Sequence, residues 1–348
     1  MTQNKLSVTI LLALFVAVLA LPFFLRPEVV EVDSDLELRI YSPHPQDIQI
    51  EFERAYNDSR LRRDLPPVKF VWLDAGGTSN IMKSIRGLYR QENQQDVTGA
   101  DIMFGGGDYP YYQLMDGVQR GGQPTGPLLE PAELPADVLR DIPKTYSGFT
   151  LYSDEGYWYG AVISGFGMMY NDAALEHLGA EPPVVWGDLG DPKLFGWVAA
   201  ADPGASGSMH MMFEIILQAY GFEKGFDVLM RMGGNSRYFS EGSNQVVRDV
   251  ALGDVAVGCA IDFYAQIAIG AYGSDRLGYV YPRGQTIFNP DCIGILKDAP
   301  NLDEAVDFVR FVLSPEGQKI WLFKAGEEGG PEKYTLYRKP ILESVYAT

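Results

Sequence analysis

Predicted strands alternate with predicted helices over the first third of this chain, and that alternation is the strongest constraint on its fold. Residues 36–41 alternate like a strand, and residues 46–57 carry apolar side chains at near-helical spacing. Strands at 68–73 and 100–104 flank a helix at 80–91. Strand and helix in this order predict a parallel sheet with crossover helices, the α/β class.

The rest of the chain repeats both kinds of element, with loops and short helices at 109–144. We expect further strands at 158–170 (split by Gly165 and Gly167), 197–201, 255–261, 278–281 and 292–296. We expect helices at 209–220, 226–232, 243–252, 302–313 and 315–325. At roughly 150 residues per domain, the 348 residues predict about two domains.

The charge balance excludes several classes of function. Lys and Arg number 28 against 46 Asp and Glu, so the net charge is 28 − 46 = −18. Such an acidic chain lacks the cationic surface that binds nucleic acid or anionic lipid. Three His and two Cys leave little for a zinc site. Without a phosphate-loop, H-E-x-x-H or C-x-x-C motif, we predict a protein that is not an enzyme and needs no cofactor.

The first 25 residues predict an export leader. Lys5 precedes an apolar run that ends at Leu25, before Arg26. A basic start and an apolar stretch are typical of a signal peptide, but a run of about 20 residues can also span a bilayer as an uncleaved anchor. Both alternatives place the remainder in the periplasm or on the extracytoplasmic face. Cys259 and Cys292 lie in predicted apolar strands, which favours two buried thiols over a disulfide.

Small polar residues follow several predicted strands. In an open parallel sheet such loops converge on the crevice where ligands bind. The candidate binding residues are Ser42, His44, Thr78, Ser79, Gly106, Ser206, Gly207, Ser208, Asp262 and Tyr264. Small residues at a helix N-terminus offer free N–H groups that suit an anion. The alternative is ordinary helix capping, which the same residues also serve.

A series of short motifs occurs in a fixed order along the chain. The motifs are Gly76-Gly77-Thr78-Ser79, Ala100-Asp101-Ile102-Met103-Phe104, Tyr157-Trp158-Tyr159-Gly160, Met169-Tyr170-Asn171, Trp186-Gly187-Asp188-Leu189-Gly190-Asp191-Pro192, Ala201-Asp202-Pro203, Ser206-Gly207-Ser208, Tyr281-Pro282, Ala299-Pro300-Asn301 and Leu313-Ser314-Pro315-Glu316-Gly317-Gln318. Together they resemble the extracellular solute-binding proteins of ABC importers, in the branch that includes the ferric-iron-binding proteins.

The resemblance implies a type II periplasmic-binding-protein fold: two lobes, each a mainly parallel sheet flanked by helices, joined by two crossing strands near residues 163–170 and 288–295. It assigns residues 1–25 to a signal peptide or anchor, 26–35 to a linker, 36–165 to lobe 1, 171–283 to lobe 2, and 288–348 to the second part of lobe 1. The lobes would close over a small ligand, and a membrane permease would recognise the closed monomer.

The resemblance leaves two substrate classes open. In the ferric branch two adjacent tyrosines bind the metal, but here the segment reads Asp262-Phe263-Tyr264, leaving only His44 and Tyr264 for iron. The Asp262-Phe263-Tyr264 segment looks more like that of relatives that bind organic phosphates or phosphonates. There, the serines and threonine would hold the anion, Asp262 would accept from hydroxyl or amino groups, and Tyr264 would offer its hydroxyl. A membrane-anchored ligand sensor is the alternative of another class.

Overall fold

The structure is a computed structural model that describes residue 15, residues 34–91 and residues 99–347. Apart from residue 15, the predicted leader lies outside the described residues, as does nearly all of the linker. Among the residues that are described, none of the helices combines the length and the apolar character needed to cross a bilayer.

The N-terminal part alternates strands and helices, as the apolar spacing predicts. Its elements are β1 (Glu37–Tyr41), α1 (Gln46–Arg62), β2 (Lys69–Leu73), α2 (Thr78–Tyr89), β3 (Ile102–Phe104) and α3 (Asp108–Met115). Strand β1 pairs in parallel with both β2 and β3. Short pieces follow: β4 (Gln119–Arg120), β5 (Gln123–Pro124), β6 (Leu129–Glu130), α4 (Ala136–Asp141), β7 (Thr145–Tyr146) and β8 (Phe149–Thr150).

Strand β9 (Tyr159–Asn171) runs without a break through the glycines that we expected to split it. A Cβ atom on Gly165 would lie 2.6 Å from the Phe288 ring and 2.7 Å from the Tyr281 ring. The glycine therefore lets two aromatic side chains approach the strand closely, and it does not end the strand.

The middle of the chain forms a second sheet with its own helices. Its elements are α5 (Asp172–Leu178), β10 (Val198–Ala201), α6 (Gly207–Tyr220), α7 (Phe222–Asn235), β11 (Ser236–Ser240), α8 (Ser243–Leu252), β12 (Val257–Ile261), α9 (Asp262–Tyr272) and β13 (Leu277–Val280). Strand β11 was not expected, because its side chains are only partly buried and carry a weak apolar signal. It pairs in parallel with β10.

The C-terminal part returns to the first sheet. Its elements are β14 (Phe288–Leu296), α10 (Leu302–Val312), α11 (Pro315–Leu322) and β15 (Lys339–Pro340). Strand β14 lies between β9 and β3, antiparallel to both. We call residues 331–347, which follow α11, the C-terminal segment.

Strand β9 joins the two lobes. The described residues form a sheet in the order β11-β10-β12-β9-β14-β3-β1-β2. The first half of β9 pairs with β14, and its second half pairs with β12 and β13. Separate apolar cores lie on either side of this change of partner. We call the side with β1 to β3 lobe 1 and the side with β10 to β13 lobe 2; the predicted boundaries at 165, 171, 283 and 288 stay predictions.

The two cysteines belong to different cores. Cys259 lies in the lobe 2 core and Cys292 in a lobe 1 core, and both are buried and free. Burial raises the pKa of the Cys259 thiol to about 12, so it stays protonated. The expectation of two buried thiols agrees with this placement.

Candidate functional site

A cavity of about 1650 Å³ lies between the lobes, and six helices begin at its wall. They are α1, α2, α3, α6, α8 and α9. The first turn of a helix leaves N–H groups without intrahelical partners and carries about half a positive charge. The ends of α2, α6 and α8 carry no acidic residue in the first turn, so they make their part of the cavity attractive to an anion although the protein as a whole is strongly acidic.

The N-termini of α2 and α6 meet across the cavity from opposite lobes. A Cβ atom on Gly77, which precedes α2, would lie only 2.7 Å from the Ala205 carbonyl oxygen, just before α6. Beside this contact, the Lys83 ammonium donates to the Gly204 carbonyl oxygen at 2.8 Å. The structure therefore has the lobes in contact at this edge.

Three serine hydroxyls form a cluster at the lobe 2 side of the cavity. Ser206 Oγ lies 3.0 Å from both Ser208 Oγ and Ser243 Oγ, and the last two are 2.6 Å apart. Each hydroxyl can rotate to donate or accept, so the cluster can turn its protons toward an anionic oxygen. The sequence predicted Ser206 and Ser208 but missed Ser243. The sequence signal for Ser243 was a glycine and a serine, Gly242-Ser243, at the start of a predicted helix. This signal indicates a binding residue only when β11 is recognised as the strand that precedes the helix.

Free backbone donors surround this cluster. The N-cap residues of α2 and α8, Gly77 and Gly242, make no side-chain cap, although Asn244 Oδ1 accepts from the Gln245 N–H in the first turn of α8 at 2.9 Å. Helix α6, in contrast, is capped by Ser206, which accepts from the Met209 N–H. The first N–H groups of α2, and those of α8 before Gln245, are therefore available to a ligand, as the anion-binding interpretation requires.

His44 lines the opposite wall and is paired with an aspartate that we did not predict. His44 Nε2 lies 3.2 Å from Asp291 Oδ2, and the backbone N–H of His44 donates to Ser42 Oγ at 3.1 Å. Burial lowers the pKa of His44 below its ordinary 6.5, against the opposing effect of the Asp291 carboxylate. Burial alone would raise the pKa of Asp291, but Arg338 and His44 outweigh it and hold that pKa below its ordinary range. The pair is thus a neutral imidazole beside an ionised carboxylate.

Tyr264 borders the cavity beneath the crossing strands. Burial raises its pKa to about 12, so at neutral pH it is a phenol and not the phenolate that ferric iron prefers. Among the described residues no three His, Cys, Asp or Glu side chains are grouped to hold a metal ion. The Tyr264 hydroxyl therefore suits a hydrogen bond to a bound solute better than coordination of a metal ion.

The cavity brings together most of the predicted residues. Those that line it are Ser42, His44, Thr78, Ser79, Gly106, Ser206, Gly207, Ser208 and Tyr264. Asp262 is the exception, because only 1% of it is exposed and its carboxylate faces the C-terminal segment. It accepts from the Tyr281 hydroxyl at 2.9 Å and pairs with the Lys339 ammonium. The structure does not favour the role of direct ligand contact that we expected for it.

The carboxylate at the cavity is supplied by Asp291 instead. Asp291 lies in β14, between Pro290 and Cys292, and lines the cavity with Asn289. An aspartate directly before the apolar run Cys292–Leu296 of this strand was the signal that could have identified it, because a charged group rarely occupies such a place without a partner. Its second partner, Arg338, lies so far along the chain that spacing could not associate the two.

A sequence profile of the family described as bacterial extracellular solute-binding protein matches residues 128–325, more than half of the chain. The chain is also 32% identical over 158 residues to the phosphoglycerate transport regulatory protein PgtC of Salmonella typhimurium. That alignment covers 45% of this chain and only 39% of the Salmonella protein.

Two solved structures show the same fold. The periplasmic binding protein AfuA from Actinobacillus pleuropneumoniae, with fructose-6-phosphate bound, superposes with a TM-score of 0.70 at 24% identity, covering 89% of this chain and 86% of that one. Iron-bound HitA from Pseudomonas aeruginosa gives a TM-score of 0.62 at 20% identity, covering 82% and 83%. These similarities confirm the predicted two-lobed α/β fold.

Proposed function

The chain belongs to the family of bacterial extracellular solute-binding proteins, and from that premise we propose that it captures a small organic phosphate or phosphonate between its lobes. The family and the relatives are binding proteins and not enzymes. In this proposal the protein acts in the periplasm or on the extracytoplasmic face, as a monomer, and delivers its ligand to the permease of an ABC importer.

The observation that carries the proposal is the serine cluster beside the N-termini of α2, α6 and α8. Ser206, Ser208 and Ser243 provide hydroxyl donors within 3.0 Å of one another. Thr78 and Ser79 at the start of α2 face them from lobe 1. A tetrahedral anion with several oxygens can use donors from both lobes, whereas a neutral solute would leave most of them unpaired.

The names of two relatives are consistent with this ligand class. PgtC is named for phosphoglycerate transport, and AfuA was solved with fructose-6-phosphate. Both ligands join a phosphate to a hydroxylated carbon chain. At 32% and 24% sequence identity, the two names support a class of ligand, the organic phosphates, and not one particular compound.

Ligand binding to stripped protein tests the proposal. Protein freed of ligand by denaturation and refolding is mixed with 3-phosphoglycerate, fructose-6-phosphate or 2-aminoethylphosphonate, and its melting temperature is measured. At one hundred times the Kd, a ligand adds about 2.7 kcal/mol to the free energy of unfolding, so Tm should rise for at least one compound. The proposal fails if no organic phosphate or phosphonate raises Tm, while a solute without such a group does.

Ferric iron is the alternative cargo, because HitA holds iron on the same fold. In that case His44 and Tyr264 would coordinate the iron, and the Tyr264 hydroxyl would have to lose its proton. Addition of ferric citrate would then produce visible absorption from tyrosinate–iron charge transfer. We expect no such band, because burial keeps the Tyr264 phenol protonated.

A ligand sensor is the second candidate function, because PgtC is named a transport regulatory protein. The same cavity would bind the same ligand, but the closed protein would signal to a membrane partner. An intact N-terminus on protein recovered from its own compartment would favour the sensor. Cleavage of the leader, together with ligand-dependent stimulation of a permease, would favour transport.

A further inference from the structure

The C-terminal segment places one arginine behind the wall of the cavity, in contact with Asp291, which lines it. Arg338 is only 2% exposed, and its Nη2 donates to Asp291 Oδ2 at 2.6 Å and to Ser164 Oγ at 2.9 Å. Its guanidinium carbon lies 3.9 Å from the centroid of the Phe263 ring, in cation–π contact. These contacts tie the segment to both crossing strands, since Ser164 lies in β9 and Asp291 in β14.

Arg338 determines which polar atoms of the His44–Asp291 pair have no hydrogen-bond partner. Asp291 Oδ2 is occupied by both Arg338 and His44, so His44 Nε2 carries the proton that it donates. Asp291 Oδ1 and His44 Nδ1 are buried and have no hydrogen-bond partner among residues 34–91 and 99–347. Both are acceptors in this state. A buried acceptor without a partner is unfavourable, and a donor that enters from the cavity would relieve it.

We infer that Arg338 is a positioning residue of the ligand site: it fixes the Asp291 carboxylate and the His44 ring so that Oδ1 and Nδ1 accept from hydroxyl or ammonium groups of the ligand. The inference rests on the proposed function. It narrows the ligand to an organic phosphate that also carries such donors, and it assigns a role at the site to a residue that does not line the cavity.

The electrostatic arrangement gives a readout that needs no ligand. His44 is faced by the Asp291 carboxylate and the Arg338 guanidinium, and the arginine lowers the pKa of His44. In R338M that pKa should rise, and in R338K, which keeps the charge, it should return toward the wild-type value. The chain has only His44, His177 and His210, so NMR titration can resolve each imidazole. K339M, one residue along the same segment, is the control and should leave His44 unchanged.

A matched pair of ligands tests the selectivity. Glycerol 3-phosphate and n-propyl phosphate have the same carbon chain, but only the first carries hydroxyl donors. Wild type should bind the hydroxylated compound about tenfold or more tightly, because hydrogen bonds to a charged acceptor are strong. R338M should reduce this preference to within about twofold while its affinity for n-propyl phosphate changes little, and R338K should restore part of the preference.

The two experiments separate failure of this inference from failure of the proposed function. If wild type binds both compounds equally well, or if R338M weakens both equally and leaves the pKa of His44 unchanged, the positioning role is wrong and phosphate binding stands. If wild type binds neither compound nor any other organic phosphate, the proposed function is wrong. The titration of His44 in the absence of ligand still decides whether Arg338 acts on the pair.

Discussion

At the scale of single residues, the serine cluster offers neutral donors to the proposed anion. Its hydroxyls lie beside the backbone N–H groups at the start of α2, whereas the cations Lys83, Arg86 and Arg90 line the cavity further along the chain, and Lys83 donates to the Gly204 carbonyl. Neutral donors hold an anion through direct contact and not through long-range attraction. Binding at the serine cluster should therefore depend strongly on the shape of the ligand.

Ser243 is the residue whose removal should test the cluster most directly. S243A removes a hydroxyl bonded to both other serines, at 2.6 and 3.0 Å. We expect a loss of about tenfold or more in affinity for the organic phosphate that raises Tm most, because a hydrogen bond to a charged group is worth about 1.5–3 kcal/mol. Calorimetric titration measures this. S236A, whose hydroxyl donates to the Met232 carbonyl away from the cavity, is the control.

His44 should make stability depend on pH. Burial lowers its pKa in the folded protein below 6.5, so the unfolded chain binds a proton that the folded protein does not. The contribution is present above pH 6.5 and is lost as the pH falls below that value. Urea unfolding between pH 7.5 and 5.5 should show a smaller decrease for H44Q than for wild type. H177Q, at an exposed position, should behave as wild type; an equal decrease in H44Q would contradict the assignment.

At the scale of elements, the alternation of strands and helices could be predicted because apolar spacing fixes each element locally. Strand β11 escaped prediction because an edge strand with partly buried side chains has little apolar signal. The sequence also failed to predict that the Asp262 carboxylate contacts Tyr281 and Lys339 and does not line the cavity, but for another reason. The position of Asp262 directly after the strand that ends at Ile261 was correct, but its partner Lys339 lies 77 residues further along, and sequence spacing does not reveal such a contact.

Glycine in β9 shows how one element depends on its neighbours. G165A would place a Cβ atom 2.6 Å from the Phe288 ring, so we expect a loss of about 1–3 kcal/mol in the free energy of unfolding. G87A is the matched control, because Gly87 lies within α2 and its Cβ would meet nothing within 4 Å. That change should stabilise the protein by up to about 1 kcal/mol, since alanine favours a helix. Urea denaturation of both variants measures the contrast.

At the scale of the whole molecule, the contact between α2 and the start of α6 links binding to the relative position of the lobes. The donors proposed for the ligand come from both lobes, so the full set exists only when the lobes are together. A ligand that needs both sets shifts the molecule toward the closed arrangement by its difference in affinity for the two states. Ser206 and Ser208 were predictable from local sequence, but their approach to Thr78 follows from the sheet order.

A methyl group at the contact should oppose closure without affecting either core. In G77A the Cβ atom would lie 2.7 Å from the Ala205 carbonyl oxygen, and only separation of the lobes relieves this clash. We expect about tenfold weaker binding of the organic phosphate and a melting temperature without ligand close to that of wild type. Small-angle scattering should show that ligand reduces the radius of gyration of wild type more than that of G77A. An equal reduction in both proteins would mean that the contact does not limit closure.

The position of β14 between β3 and β9 has a consequence for how the chain reaches its native state. Lobe 2 is formed from one continuous stretch, whereas lobe 1 needs a strand that is synthesised after all of lobe 2. A nascent chain can therefore complete lobe 2 early, but the sheet of lobe 1 stays open at β3 until β14 arrives. Pairing between such distant segments is slow because a long loop must close first. Refolding should show a fast phase for lobe 2 and a slower one for lobe 1, and that delay would prolong the interval in which the chain remains competent for export.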